Sequence, residues 1–335
     1  MLTGNKLVSL ASKYNLVVIA AVIFAVSTII NPSFASGFNL LAILLDTAIF
    51  GFLVLGESLV VISGGIDLSV GNMASMSSVI IAWSMRGMYG LVPDWITLPV
   101  CLLFALVFCG FIGFLSGLSI GYLNVPPLIA TLGAMWVVQG IGYYFLSGVP
   151  TPFPIAAFRS IFAGDISFIP FSALYLLLIV VLANRLVKSM RYGRWVYAVG
   201  GSEYAARISG IDTRKTKVGV YMTSAILAGI GGVFVGAYSG VGNPRACNGY
   251  ELYAIAAVVM GGIALTGGEG KIWNAILATF ILRILNKFII FSRLSGYIEG
   301  MVVGAILVGT LLVSTGRRRS RRKTVTTAAD SVKTT

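Results

Sequence analysis

Long apolar runs follow one another along this chain almost without pause, and the polar residues gather in a few short clusters between them. Reading the runs against turn signals predicts ten spans, near residues 15–31, 40–62, 70–85, 96–120, 126–147, 168–187, 216–238, 251–265, 272–290 and 295–315. An apolar run of about 18 residues or more is long enough to cross the roughly 30 Å hydrocarbon layer. The runs nowhere alternate with period two, as the strands of a membrane barrel would. The expected fold is therefore all-α and polytopic, with about ten transmembrane helices.

Two of the polar interruptions have the same form. "SGGIDLSVGN", Ser63 to Asn72, sets Asp67 and Ser69 among Gly64, Gly65 and Gly71 with apolar stretches on both sides. "GGIALTGG", Gly261 to Gly268, repeats Gly, Gly, Ile, Leu and the final Gly of "GGIDLSVG", with Thr266 standing against Ser69. Glycine-interrupted spans in corresponding positions are a sign of transport proteins, whose sites lie between repeats. Irregular backbone at membrane depth is tolerated only where protein or a wet cavity surrounds it, and glycine suits it. For Asp67 two readings stand: a cap or brace for a helix starting near Leu68, or an ionisable group serving the path.

The longest polar insertion runs from Lys188 to Lys217. Within it Ser202 suits an N-cap, Glu203 a first turn and Gly210 the position after a last turn, which predicts one short helix of about seven residues. Such a helix is too short to be stable alone and must dock. Its polar surface, with Glu203 and Arg207 four apart, points to a partner in water.

Charge gives the topology. Only 10% of residues are charged against 57% hydrophobic, where a soluble domain carries about 25% charged. With the N-terminus inside, every Lys and Arg except Arg86, Arg159, Arg245, Arg283, Lys287 and Arg293 falls on the inner side, as short cytoplasmic loops require. The formal charge of +13 is thus scattered over loop ends and a tail, and no folded basic face for nucleic acid is expected. The chain divides into a cytoplasmic N-terminus over 1–14, a transmembrane domain over 15–315 with its polar loop at 188–217, and a basic tail over 316–335 that is expected to be disordered and to touch anionic membrane lipid. Lys6 and Lys13 precede the first apolar stretch as they would in a cleaved leader, but Ala35-Ser36-Gly37 is a weak cleavage site, so an uncleaved first span is expected.

Several chemistries are excluded. There is no histidine, so His-based catalysis and His-ligated metals are out, and no nucleophile stands in register with a base. Cys101 and Cys109 lie eight apart on one expected helix, about 12 Å of rise, too far for a disulfide; with Cys247 they read as packing residues. "GGEGKI" at 267–272 lacks the first glycine and the final Ser or Thr of a phosphate loop. If ATP drives this protein, another chain binds it together with Mg. An ion-coupled transporter using Asp46, Glu57 or Asp67 is the alternative. A polar and aromatic pool for a small solute is Asn124, Gln139, Tyr143, Tyr144, Tyr238, Asn243, Tyr250 and Glu251.

Four segments in order, "GGIDLSVG", "NVPPLIATLGAM", "YAVGGSEYAARISGID" and "YELYAIAAVVMGG" followed by "GGEG", resemble the membrane subunits of ribose-type ABC importers from about residue 40 to 310. The resemblance implies a type II importer permease of the bacterial inner membrane with both termini cytoplasmic. It also implies a second permease copy or homologue, cytoplasmic ATPase subunits and a periplasmic sugar-binding protein. It further makes Ser202, Glu203, Tyr204, Ala205, Ala206, Arg207 and Gly210 the coupling helix, and a small neutral sugar or sugar-like molecule the cargo. Residues 271–291 depart from the family's usual pattern of glycines and an Asn-Gly-Leu segment.

Overall fold

The computed structural model describes residues 15–167, 169–292, 298–306 and 308–309. The N-terminal segment over 1–14 and the basic tail over 316–335 lie outside the described residues.

The described chain is helical. α1 (Asn15–Ile30), α2 (Gly37–Ile62), α3 (Val70–Met88), α4 (Asp94–Gly121) and α5 (Pro127–Leu146) follow one another with short turns. A small cap of α6 (Ala156–Phe162) and two-residue strand pairs comes next, Thr151–Pro152 pairing antiparallel with Val241–Gly242 and Asp165–Ile166 with Ile169–Pro170. α7 (Phe171–Ser189), α8 (Arg191–Gly201), α9 (Glu203–Ile208), α10 (Thr213–Ser239), α11 (Tyr250–Met260) and α12 (Ile272–Phe291) complete it, with residues 298–306 also helical.

α10 is the axis of the bundle and packs along α4, α2 and α3. Glycines at every fourth position of α4 make its closest approach. A Cβ on Gly117 would lie 2.6 Å from the Val218 Cα, and Gly113 and Gly121 are met in the same way by Tyr221 and Arg214. Small residues spaced by four are how membrane helices bring their backbones together where no hydrophobic effect drives association. α2 and α3 are buried along most of their length between the other helices.

Among the described residues six helices are long and apolar enough to cross a membrane: Gly37–Ile62, Asp94–Gly121, Pro127–Leu146, Phe171–Ser189, Thr213–Ser239 and Ile272–Phe291. Of the ten spans expected, the one at 295–315 lies in part outside the described residues, and those at 15–31, 70–85 and 251–265 are not among these six. α3 carries Ser75, Ser77 and Ser78, all buried within the protein, and the partly exposed Ser84. The run at 251–265 yields only the 11 residues of α11, about 16 Å, because Gly261 and Gly262 end it. The polar insertion holds two helices, α8 and α9, where one was expected.

Candidate functional site: two broken helices and a polar loop

The two glycine segments end their helices by the same device. At the end of α2, Gly64 takes φ +85°, its N–H donates to Val61 O and that of Gly65 to Val60 O, each at 3.0 Å. At the end of α11, Gly262 takes φ +80°, its N–H donates to Val259 O at 2.9 Å and that of Ile263 to Val258 O at 3.2 Å. This is the left-handed helix stop that glycine adopts without penalty. Structural equivalence pairs Gly64 with Gly262, one residue away from the pairing that the sequence match suggests. The remaining glycine of the second copy, Gly261, has another duty: a Cβ there would lie 2.6 Å from the Ala275 Cα of α12.

Beyond the stops the segments diverge. In the first, Asp67 is buried; its Oδ1 accepts the Ser69 N–H at 2.9 Å and the Ser69 hydroxyl at 2.6 Å, and its Oδ2 accepts the Ser224 hydroxyl of α10 at 3.0 Å. The Asp67 N–H in turn donates to Glu57 Oε1 at 3.3 Å. α3 begins at Val70 with Ser69 in the capping position. The carboxylate therefore fixes the residue before the helix and ties the turn to α10, which corrects the expectation of a cap on a helix starting near Leu68. The second segment carries no carboxylate at the matching place, Leu265 in the structural register and Ala264 in that of the sequence, and closes on its own backbone, Ala264 N–H to Glu269 O at 3.2 Å and Gly267 N–H to Ala264 O at 2.9 Å.

Both segments meet α8. A Cβ on Gly200 would collide with the Ile62 carbonyl, and one on Gly267 would lie 2.8 Å from Gly64 Cα and Gly200 O. The Tyr197 hydroxyl donates to Gly270 O at 2.8 Å. Glycine here gives close approach as well as turning.

α9 hangs from this junction. The Ser202 hydroxyl accepts the Ala205 N–H at 3.2 Å. At the other end Gly210, φ +81°, repeats the same stop, its N–H donating to Arg207 O and that of Ile211 to Ala206 O, both at 3.0 Å. Glu203 lies 3.8 Å from Arg207, but its shorter ion pair, 2.8 Å, is with Lys217 of α10. Partial burial pushes the Glu203 carboxyl up, but the hydrogen bond and charge of Lys217 outweigh that and leave it below its usual range. Ala206 is 3% exposed and faces the protein, whereas Tyr204 and Ile208, four residues apart, are 75% and 71% exposed. A pocket of about 220 Å³ opens between this loop and the first break, lined by Gly64, Gly200, Glu203, Lys217, Tyr221 and Thr266.

The solute pool divides. Asn124, φ +55°, turns the chain between α4 and α5, apart from the others. Tyr143 accepts the Arg245 Nε at 2.8 Å, and Gln139 meets Asn248 at 3.5 Å. Tyr144 is exposed. Glu251 packs beside Gly71, where a Cβ would lie 2.5 Å from its Oε2. Tyr238, Asn243 and Tyr250 line one cavity with Asp46. The sequence reading named Asp46 only as a candidate ion site and did not pair these charges around one cavity: Asp46 pairs with Lys287 at 2.8 Å, and Arg283 with Glu299 at 3.8 Å. Their signal was the presence of Arg283 and Lys287 inside an apolar run, among the six exceptions to the charge pattern.

A helical bundle whose helices break at paired glycine stops against a polar loop defines a multi-pass membrane permease. The chain belongs to the family of branched-chain amino acid transport system permease components, whose model matches residues 39–311. It is 33% identical over 291 residues to the ribose import permease protein RbsC of Haemophilus influenzae, covering 86% of this chain and 88% of that one. It is 31% identical over 303 residues to the probable ABC transporter permease protein YphD of Escherichia coli, covering 90% and 89%. Over 307 residues it is 29% identical to the galactose/methyl galactoside import permease protein MglC of Escherichia coli, covering 87% and 90%. No solved structure matches the chain.

Proposed function

We propose that this chain is the permease subunit of an ATP-driven importer in the bacterial inner membrane, both termini cytoplasmic, passing inward a small neutral sugar delivered by a periplasmic binding protein. ATP and Mg sit on separate cytoplasmic ATPase subunits, and a second permease copy or homologue shares the path. The observation that carries the reading is the placement of α9. Capped at both ends and seated by Ala206, it presents Tyr204 and Ile208 outward and hangs from the glycine junction of both broken helices. A push on α9 by an ATPase is thereby delivered to the two breaks at once. Sugar rather than amino acid as cargo is supported by the names of the relatives, which print ribose and galactose.

The test is uptake into proteoliposomes holding the permease, its ATPase and its binding protein. Labelled ribose or galactose should enter only with ATP, and labelled leucine should not. Tyr204→Asp with Ile208→Asp should abolish uptake and release the ATPase during purification while the permease stays inserted. Uptake on an ion gradient without ATP overturns the reading.

A further inference from the structure

α11 is a half-length helix, and what precedes it has a consequence for the solute. After α10 the chain does not stay at the surface. Residues 241–249 run back along α3, the first two in strand form and the rest through successive turns: the Asn243 N–H donates to the Ser78 hydroxyl at 3.2 Å and the Cys247 N–H to the Ser75 hydroxyl at 2.9 Å. α11 then starts beside Phe50, which stacks on Tyr250 with centroids 4.1 Å apart. Phe50 lies twelve residues before the end of α2, about 18 Å along a helix of about 39 Å, so α11 begins near mid-depth.

Above that start lies a cavity of about 310 Å³, lined by Asp46, Phe50, Tyr238, Ser239, Asn243 and Tyr250. Small-molecule sites occupy roughly 300–1,000 Å³, so this one has room for a single monosaccharide and no more. Its groups suit one. Tyr238 and Tyr250 offer aromatic surface to a C–H face. Asp46 gives Oδ2 to Lys287 at 2.8 Å, which leaves Oδ1 as an acceptor for a hydroxyl. Asn243 uses its Oδ1 on the Arg245 N–H at 2.9 Å, leaving its Nδ2 to donate. The charges are balanced: Lys287 answers Asp46, and Arg283 is shut behind Phe50, its guanidinium 3.8 Å from the ring centroid and 3.8 Å from Glu299. An amino acid zwitterion would need an unanswered anion and cation here; a neutral polyol needs neither.

We propose that this cavity is the sugar's resting place within the permease, one monosaccharide seated at the start of the half-helix α11, with Asp46 and Asn243 on its hydroxyls and Tyr238 and Tyr250 on its apolar face. The assignment rests on the sugar-importer reading above. Broken helices at mid-depth are where transporters place their solutes.

Two variants in the reconstituted full transporter test it, with ribose and galactose as probes. Asp46→Asn removes the charged acceptor and should lower uptake at fixed sugar-loaded binding protein by roughly ten- to a hundredfold, as loss of one charge-assisted hydrogen bond does, and unequally for the two sugars. Tyr238→Cys places a thiol on a half-exposed position, while the natural Cys101, Cys109 and Cys247 are all buried. It should react with a charged, membrane-impermeant thiol reagent, and turnover with sugar-loaded binding protein should slow that reaction several-fold relative to sugar-free binding protein. An unreactive thiol, as when a second permease copy fills the cavity, overturns the proposal. So does labelling indifferent to sugar together with an unchanged ribose-to-galactose ratio in Asp46→Asn. A wild-type transporter that takes up neither sugar with ATP overturns the sugar reading itself, whereas normal wild-type uptake with indifferent variants removes this subsite alone.

Discussion

The amide of Gly268 donates to the carbonyl of Ile62 at 2.8 Å, so the second broken segment completes the end of the first. The last four carbonyls of any α-helix lack partners within it. In α2 the carbonyl of Leu59 takes Ser63, Val60 takes Gly65, Val61 takes Gly64, and Ile62 takes Gly268. No carbonyl of that last turn is left over, and the two breaks are fastened to each other as well as to α8.

Gly200 stands at the centre of this junction. Gly200→Ala should lower stability by about 1–3 kcal/mol, the usual cost of forcing an extra carbon into a filled site, because the methyl meets the Ile62 carbonyl and the Gly268 amide. Gly201→Ala, one residue on, points into open space and should change little. Thermal unfolding of the two variants in detergent separates them; equal midpoints would mean that close packing at Gly200 is not what holds the junction.

Asp67→Asn keeps an acceptor for Ser69, and the Ser224 hydroxyl can turn to accept from the new amide, so most uptake should survive. Asp67→Ala strands the Ser69 and Ser224 groups in a buried place, at about 1–3 kcal/mol for each unsatisfied group, and should lower the yield of folded protein. Uptake of several sugars normalised to inserted protein decides between a brace and a solute ligand. A changed sugar preference in Asp67→Asn would sink the brace.

Ser75 and Ser77 are neighbours with opposite expectations. The Ser75 hydroxyl accepts from the buried Cys247 N–H, whereas the Ser77 hydroxyl is buried with no partner. Ser75→Ala should cost about 1–3 kcal/mol, and Ser77→Ala should be neutral or stabilising. Unfolding midpoints of the pair check this, and a larger loss at Ser77 would contradict it.

The Glu203 carboxyl titrates below its unfolded value, so its contribution to seating α9 is complete above the ordinary glutamate range near 4.3 and fades as pH falls through the lower folded value. With its side chain 43% exposed, the effect is small, under about 1 kcal/mol. Amide exchange over Glu203–Ile208, corrected for intrinsic rate, should show constant protection from pH 8 to 6 and a loss below about pH 4. Glu203→Gln should remove the pH step; persistence of the step in that variant would assign it elsewhere.

The apolar runs made the bundle legible, and the caps made α9 legible, because Ser202 and Gly210 act locally. The paired breaks were legible as glycine motifs, yet their true register was not: which of two adjacent glycines takes the left-handed conformation depends on Ala275 of α12 lying against the other. α8 escaped notice although Tyr192, Val196 and Val199 already mark an apolar side in the sequence, because Gly193, Gly200 and Gly201 argue against a helix. The cavity at Asp46 was hidden for a similar reason. Asp46, Asn243, Tyr250 and Lys287 are scattered along the chain, and the turning path of residues 241–249 that helps to gather them depends on serines of α3.

The path of residues 241–249 also sets what can hold this part of the chain at membrane depth. An 11-residue apolar helix is too short to be taken up by the membrane as an independent span, and the nine residues before it carry backbone groups that hydrocarbon would reject. Ser75 and Ser78 of α3 take up two of those groups, and α11 itself packs against both α2 and α12. This stretch is therefore held at depth by the protein around it and not by hydrocarbon as a span in its own right.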